Sequence, residues 1–147
     1  DTLYQIGESL AECAEDAARL GVQIRLEVHG HETCEPVRIR KILDYAGHPN
    51  LYVCWNSNPQ DVRNGSVRES FELLADDIAL VHMRDLCARD YPWLELLGLL
   101  RSRGYEGFCC AEIPEGDQPD RIMDYYSALW QAYGRILDLQ GSGGHGQ

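Results

Sequence analysis

Apolar positions along the chain follow two periods in turn. Over residues 4–20, Ile6, Leu10, Cys13, Ala14, Ala17 and Ala18 share one helical face, and Glu8, Glu12, Glu15 and Asp16 face away. That spacing predicts an amphipathic helix, which Gly21 should end as a glycine just past the last turn. A strand is expected over 22–28. Pro36 suits the first position of a second helix, with Ile39, Ile42, Leu43 and Ala46 inward and Gly47 closing it. His48-Pro49-Asn50 turns the chain into an apolar strand over 51–55. A polar loop then leads to a helix over 67–76 on Val67, Phe71, Leu74 and Ala75, and to a third strand over 78–83. A loop through Asp90 precedes a helix over 93–103 on Leu96, Leu97 and Leu100. After the turn Gly104-Tyr105-Glu106-Gly107 come a fourth strand, over 108–111, and a last helix, over 119–137. Ile122, Met123, Tyr126, Leu129, Trp130 and Tyr133 are expected to face inward from that helix.

A helix followed by four strand-then-helix units predicts an α/β fold with a parallel sheet. Strands as continuously apolar as 51–54 suit a sheet covered on both faces. An open doubly wound sheet and part of a (β/α)8 barrel both satisfy this pattern. No glycine-rich phosphate loop follows any strand, so a Rossmann nucleotide site has no support. A whole barrel needs about 250 residues, and the 147 here supply half of one.

Each strand delivers one polar side chain at its carboxyl end: Glu27, Asn56, His82 and Glu112. They stand 29, 26 and 30 residues apart, close to the roughly 30 residues of one β/α unit. In barrels the working residues sit at those ends. Two carboxylates, an imidazole and an amide oxygen suit a divalent cation such as Mg2+, Mn2+, Co2+ or Zn2+. Glu27 and Glu112 are the natural acid/base pair, one on either side of a substrate.

Charge and cysteine usage narrow the partners. A net charge of −11 repels phosphate backbones and opposes nucleic acid. No apolar run approaches the roughly 20 residues of a membrane span. The six cysteines form neither a CxxC pair nor a disulfide framework, which points to reduced thiols and a cytoplasmic setting. The chain opens at Asp1 without a Met, so residues are expected to precede it.

The phrases AARLGVQIRLEVHGH (17–31), HPNLYVCWNSN (48–58), LVHMRD (80–85) and RSRGYEGFCCAEI (101–113) together carry a resemblance. With the elements VHxxD and GYxGxxxxE in that order, the chain from about Leu10 to Tyr133 resembles the carboxyl-terminal half of the xylose isomerase-like TIM barrels. That is the sugar phosphate isomerase/epimerase superfamily. The resemblance implies that 1–137 are a half (β/α)8 barrel carrying strands five to eight. Residues 138–147 would then be a Gly-rich tail, flexible by composition. It implies Glu27, Asn56, His82 and Glu112 as metal ligands, with Glu27 and Glu112 as proton-transfer bases. His29, Trp55, Asn58, Asp85 and Arg89 would lie near the substrate.

The sequence departs from the family where it has Asn56 in place of the usual Asp, and Pro59 in place of a His. A neutral amide lends a cation less charge. Some positions carry a second reading: His29 in a plain polar loop, Asp85 satisfying backbone amides, Trp55 as a core aromatic. The expected activity is metal-assisted isomerisation or epimerisation of a small sugar or polyol, and an inosose-type dehydratase would use the same parts. The alternatives are a sugar-binding relative that has lost its metal, or a fragment that is inactive alone. Bare outer strands and exposed barrel-lining side chains imply a missing amino-terminal half-barrel, or a homodimer, as partner.

Overall fold

The computed structural model describes residues 2–142. Helix α1 (Thr2–Arg19) leads into β1 (Ile24–Glu27), α2 (Pro36–Ala46), β2 (Leu51–Asn56), a 3-10 turn at Pro59–Asp61 and the short α3 (Arg68–Glu72). Then come β3 (Ile78–Met83), α4 (Trp93–Ser102), β4 (Cys109–Ala111) and α5 (Pro119–Ser142). The strands form one sheet in the order β1-β2-β3-β4. Every pairing is parallel. Sequential neighbours joined through helices on one side make a curved half-barrel.

The core lies between the outer face of the sheet and the helices. Val28, Val53, Trp55, Val81 and Met83 meet Ile39, Ile42, Phe71, Leu74 and Leu96, all essentially without solvent contact. Because successive strand residues face opposite ways, Glu27, Cys54, Asn56 and His82 fall on the inner, concave face. Among the described residues no helix layer covers the inner face. Phe108, just before β4, is 77% exposed.

Helix α2 starts at Pro36, and Gly47 caps it in the left-handed conformation with φ 54°, as the sequence predicts. Gly7 lets α1 approach α2 closely: a Cβ there would stand 2.8 Å from Tyr45 Cβ and 2.9 Å from the Ile42 carbonyl oxygen. Only Ala14, Ala17 and Gly7 of α1 are buried. The predicted core positions Cys13 and Ala18 are exposed, since α1 rests on α2 through a narrow stripe.

Two helices differ from expectation in three respects. The helix predicted over 67–76 stops at Glu72. Leu74 N–H then donates to Phe71 O at 3.0 Å and Asp77 N–H to Leu74 O at 2.9 Å, so the chain tightens into three-residue turns that still bury Leu74. In α5 the inward stripe is Ile122, Tyr126, Leu129, Tyr133 and Leu137, one residue wide; Met123 (46% exposed) and Trp130 (40%) flank it, Trp130 at the edge of the groove between α4 and α5. Finally, α5 runs on to Ser142, so residues 138–142 are helical where a tail was expected. Arg101 pairs with Asp138 at 2.5 Å and holds that turn against α4. Residues 143–147 of the expected tail lie outside the described residues.

Candidate functional site

Parallel pairing brings the predicted residues to the carboxyl end of the sheet, with Asn56 and His82 in register and Glu27 and Glu112 each offset by two residues. Glu27 ends β1, Asn56 ends β2, His82 is next to last in β3, and Glu112 follows β4. Asn56 is the partner of His82 across β2 and β3, and Glu27 is the partner of Cys54 across β1 and β2. His82 Nδ1 lies 3.0 Å from Glu27 Oε1 and 3.5 Å from Glu112 Oε2. One imidazole therefore touches carboxylates from the first and last strands. The Glu112 backbone N–H donates to Met83 O at 2.8 Å, which fixes where its side chain starts.

Asn56 is buried, at 6% exposure. Its Nδ2 donates to Glu27 Oε1 at 3.2 Å and lies 3.0 Å from His29 Nδ1. The amide thus presents its donor edge to the cluster. An aspartate has no hydrogen to offer in that place.

Cys54 was not among the residues singled out by sequence, where it reads as a small hydrophobe in an apolar strand. It precedes Asn56 by two and shares its face. The pairing of β2 with β3 shifts between Val53 and Cys54; such irregularities re-aim side chains near functional sites. The ligating atoms of Glu27, Cys54 and His82 all lie within 4.8 Å of one another. Burial pushes the Cys54 thiol up to about 12, with the carboxylates of Glu27 and Glu112 adding to the rise.

The remaining predicted residues divide. His29 sits at the mouth, and Asn58 donates from Nδ2 to Val28 O, tying the loop after β2 to the end of β1. Trp55 is corrected: it has no solvent exposure and points into the helix layer, edge-on to Phe71 with ring centres 5.9 Å apart. It cannot line a sugar, because its neighbour Asn56 takes the inner face and strand side chains alternate. Asp85 is exposed and accepts the Cys87 backbone N–H at 3.2 Å, which is the backbone-satisfying role. Arg89 is exposed in the loop after β3, in the same turn region.

Beneath the mouth runs a buried polar chain that sequence reasoning missed. Trp55 Nε1 donates to Tyr91 Oη at 3.2 Å, and Tyr91 Oη donates to Asp61 Oδ2 at 3.0 Å. The Asn58 backbone N–H donates to the same oxygen at 2.8 Å. Burial holds the Asp61 carboxyl up to about 7, against the opposing pull of those donors and of Arg84. The Arg84 guanidinium lies over the Tyr91 ring, 5.4 Å from its centre. The available signal was Asn58 followed three residues later by Asp61, the spacing of a reciprocal cap.

A sequence model described as xylose isomerase-like TIM barrel matches residues 1–129. The chain belongs to the xylose isomerase-like TIM barrel family. Solved structures agree on the fold of this barrel. The apo form of 3-keto-D-glucoside 4-epimerase YcjR from E. coli matches with a TM-score of 0.70 at 17% identity, over 85% of this chain and 52% of that one. A D-tagatose 3-epimerase-like protein matches with a TM-score of 0.73 at 20% identity, over 91% of this chain and 55% of that one. The chain therefore spans about half the length of the barrels it resembles. No curated protein matches it. Among the described residues no helix is long and apolar enough to cross a membrane.

Proposed function

We propose that this half-barrel carries the cation-binding and proton-transfer groups of a sugar isomerase or epimerase. The observation that supports it most is the meeting of Glu27 and Glu112 on His82 Nδ1, at 3.0 and 3.5 Å, at the carboxyl ends of parallel strands. Two acids around one imidazole form a donor set for a divalent ion, with nitrogen and oxygen ligands of the kind that Mg2+, Mn2+, Co2+ and Zn2+ accept. Glu27, His82 and Glu112 would hold it, joined by Asn56 once its amide turns to present oxygen. Bound there, a divalent ion supplies Lewis-acid polarisation of a substrate carbonyl and its neighbouring hydroxyl.

The chain's own residues do the rest. Glu27 and Glu112 come from opposite ends of the sheet and flank the space above His82. One carboxylate takes the proton from the carbon next to the carbonyl, and the other returns a proton to that carbon or its neighbour. Inversion follows when the return comes from the other face. His29 and Asn58 border the mouth and meet substrate hydroxyls, with Asp85 and Arg89 on the outer loop. The substrate class is a small ketose or keto-sugar, in keeping with the epimerases named among the structural relatives. Further β/α units, from a missing half-barrel or a second copy, cover the inner face where Phe108 stands bare.

Asn56 favours a second reading, a sugar-binding relative without metal, because its amide hydrogens occupy the place of an anionic donor. The experiment incubates the protein and a divalent ion with a panel of ketoses in D2O. Deuterium entering at the carbon beside the carbonyl is expected. Stoichiometric sugar binding with no exchange would establish the binding reading instead.

A further inference from the structure

Asn56 leaves the mouth short of one anionic donor, and the same strand offers another two residues earlier. We propose that Cys54 ligates the cation together with Glu27 and His82, so that the site prefers thiophilic ions such as Zn2+, Co2+ or Cd2+ over Mg2+. The inference rests on the reading that these strand ends hold a cation.

Three observations carry it. First, the ligating atoms of Glu27, Cys54 and His82 come within 4.8 Å of one another. Ligands at about 2.0–2.3 Å from one tetrahedral centre stand about 3.3–3.8 Å apart, so a small inward movement closes the set. Second, Cys54 is buried, at 3% exposure, yet stands outside the hydrophobic cluster between sheet and helices. Its strand neighbours Val53 and Trp55 fill the core with no exposure, while Cys54 faces the side that carries Glu27 and His82. Its present bond is weak, the Sγ lying 3.9 Å from the Trp55 carbonyl oxygen. Third, the donor edge of Asn56 is already engaged with Glu27 and His29. Using Asn56 as a ligand means breaking those contacts, and using Cys54 does not.

Softness then decides selectivity. A thiolate among carboxylate and imidazole ligands favours Zn2+ and Co2+ and offers nothing to Mg2+, which takes oxygen ligands. Cys110 is the natural control. It lies on the same inner face, as the partner of His82 in β4, but outside the three-residue group.

The test adds Co2+ to the chain under reducing conditions and follows absorption. Expected are visible d–d bands together with a near-ultraviolet thiolate-to-cobalt charge-transfer band, saturating at one ion per chain. Cys54→Ser should abolish the charge-transfer band and weaken Co2+ binding more than about tenfold, whereas Cys110→Ser should leave both. Visible bands without charge transfer in the unaltered chain overturn thiolate ligation and leave the cation site standing. Absence of both bands overturns the cation reading itself. A band lost with Cys110→Ser and kept with Cys54→Ser overturns the assignment. X-ray absorption of the Zn2+-loaded chain needs no variant: a sulfur at about 2.3 Å supports the proposal, and an oxygen and nitrogen shell alone overturns it.

Discussion

His82 Nδ1 stands 3.0 Å from Glu27 Oε1, although 55 residues separate them in sequence. Glu27 Oε1 also accepts from Asn56 Nδ2 at 3.2 Å. One carboxylate oxygen thus ties together the ends of three strands.

Glu27→Gln keeps the shape and removes the charge. The cation should bind at least about tenfold more weakly, and deuterium exchange into a ketose should fall by roughly 10²–10⁴. The side chain is about a third exposed, so stability should change by less than about 1 kcal/mol. Calorimetric metal titration and urea unfolding check the two halves of this prediction.

Asn56→Asp acts in opposite directions on two properties. It replaces an amide that donates to Glu27 with a second carboxylate facing the first. The metal-free chain should lose about 1–3 kcal/mol, read as a lower unfolding midpoint. Mg2+ should recover that loss and bind more tightly than to the unaltered chain, because an anionic oxygen joins the set. A midpoint indifferent to Mg2+ would contradict this.

Asp61 should make stability depend on pH in an unusual direction. Its carboxyl titrates near 3.8 when unfolded and is held up to about 7 by burial. Between those values the unfolded chain has released its proton and the folded chain keeps it. Stability from this group is therefore full below about pH 4 and falls as pH rises toward 7. The loss is on the order of 4 kcal/mol at most. Asp61→Asn should flatten this segment of a plot of unfolding midpoint against pH.

Trp55→Phe tests the placement of the ring. The change removes the donor to Tyr91 Oη and opens space in the core, so about 1–3 kcal/mol of stability should go. Sugar affinity should hold within about twofold, since the ring lies on the helix side; a large affinity loss with stability intact would put it at the mouth.

Much of this arrangement was legible in the sequence. The order of elements, the bounds of α2 and β3, and the placing of Glu27, Asn56, His82 and Glu112 at the carboxyl ends of the strands follow from repeated β/α units of fixed length. Other parts were not. A cysteine inside an apolar strand looks the same whether it faces the core or the mouth, so Cys54 passed unnoticed. Asp61 lay in a polar loop where one acid resembles another, and only Tyr91, 30 residues on, reveals that it is buried. Met123 and Trp130 satisfied the helical period, yet α5 touches the body through too narrow a stripe to cover them.

By itself the sequence determined the alternation of strand and helix, the parallel sheet and the residues that end each strand, because these depend on local periodicity and on spacing along the chain. Tertiary structure alone decided which face each strand residue takes, putting Trp55 in the core and Cys54 beside Glu27 and His82. It also decided that Asn56 turns its hydrogens toward its neighbours. A side chain's face depends on strand register, and its partners are brought close only when separate strands pair.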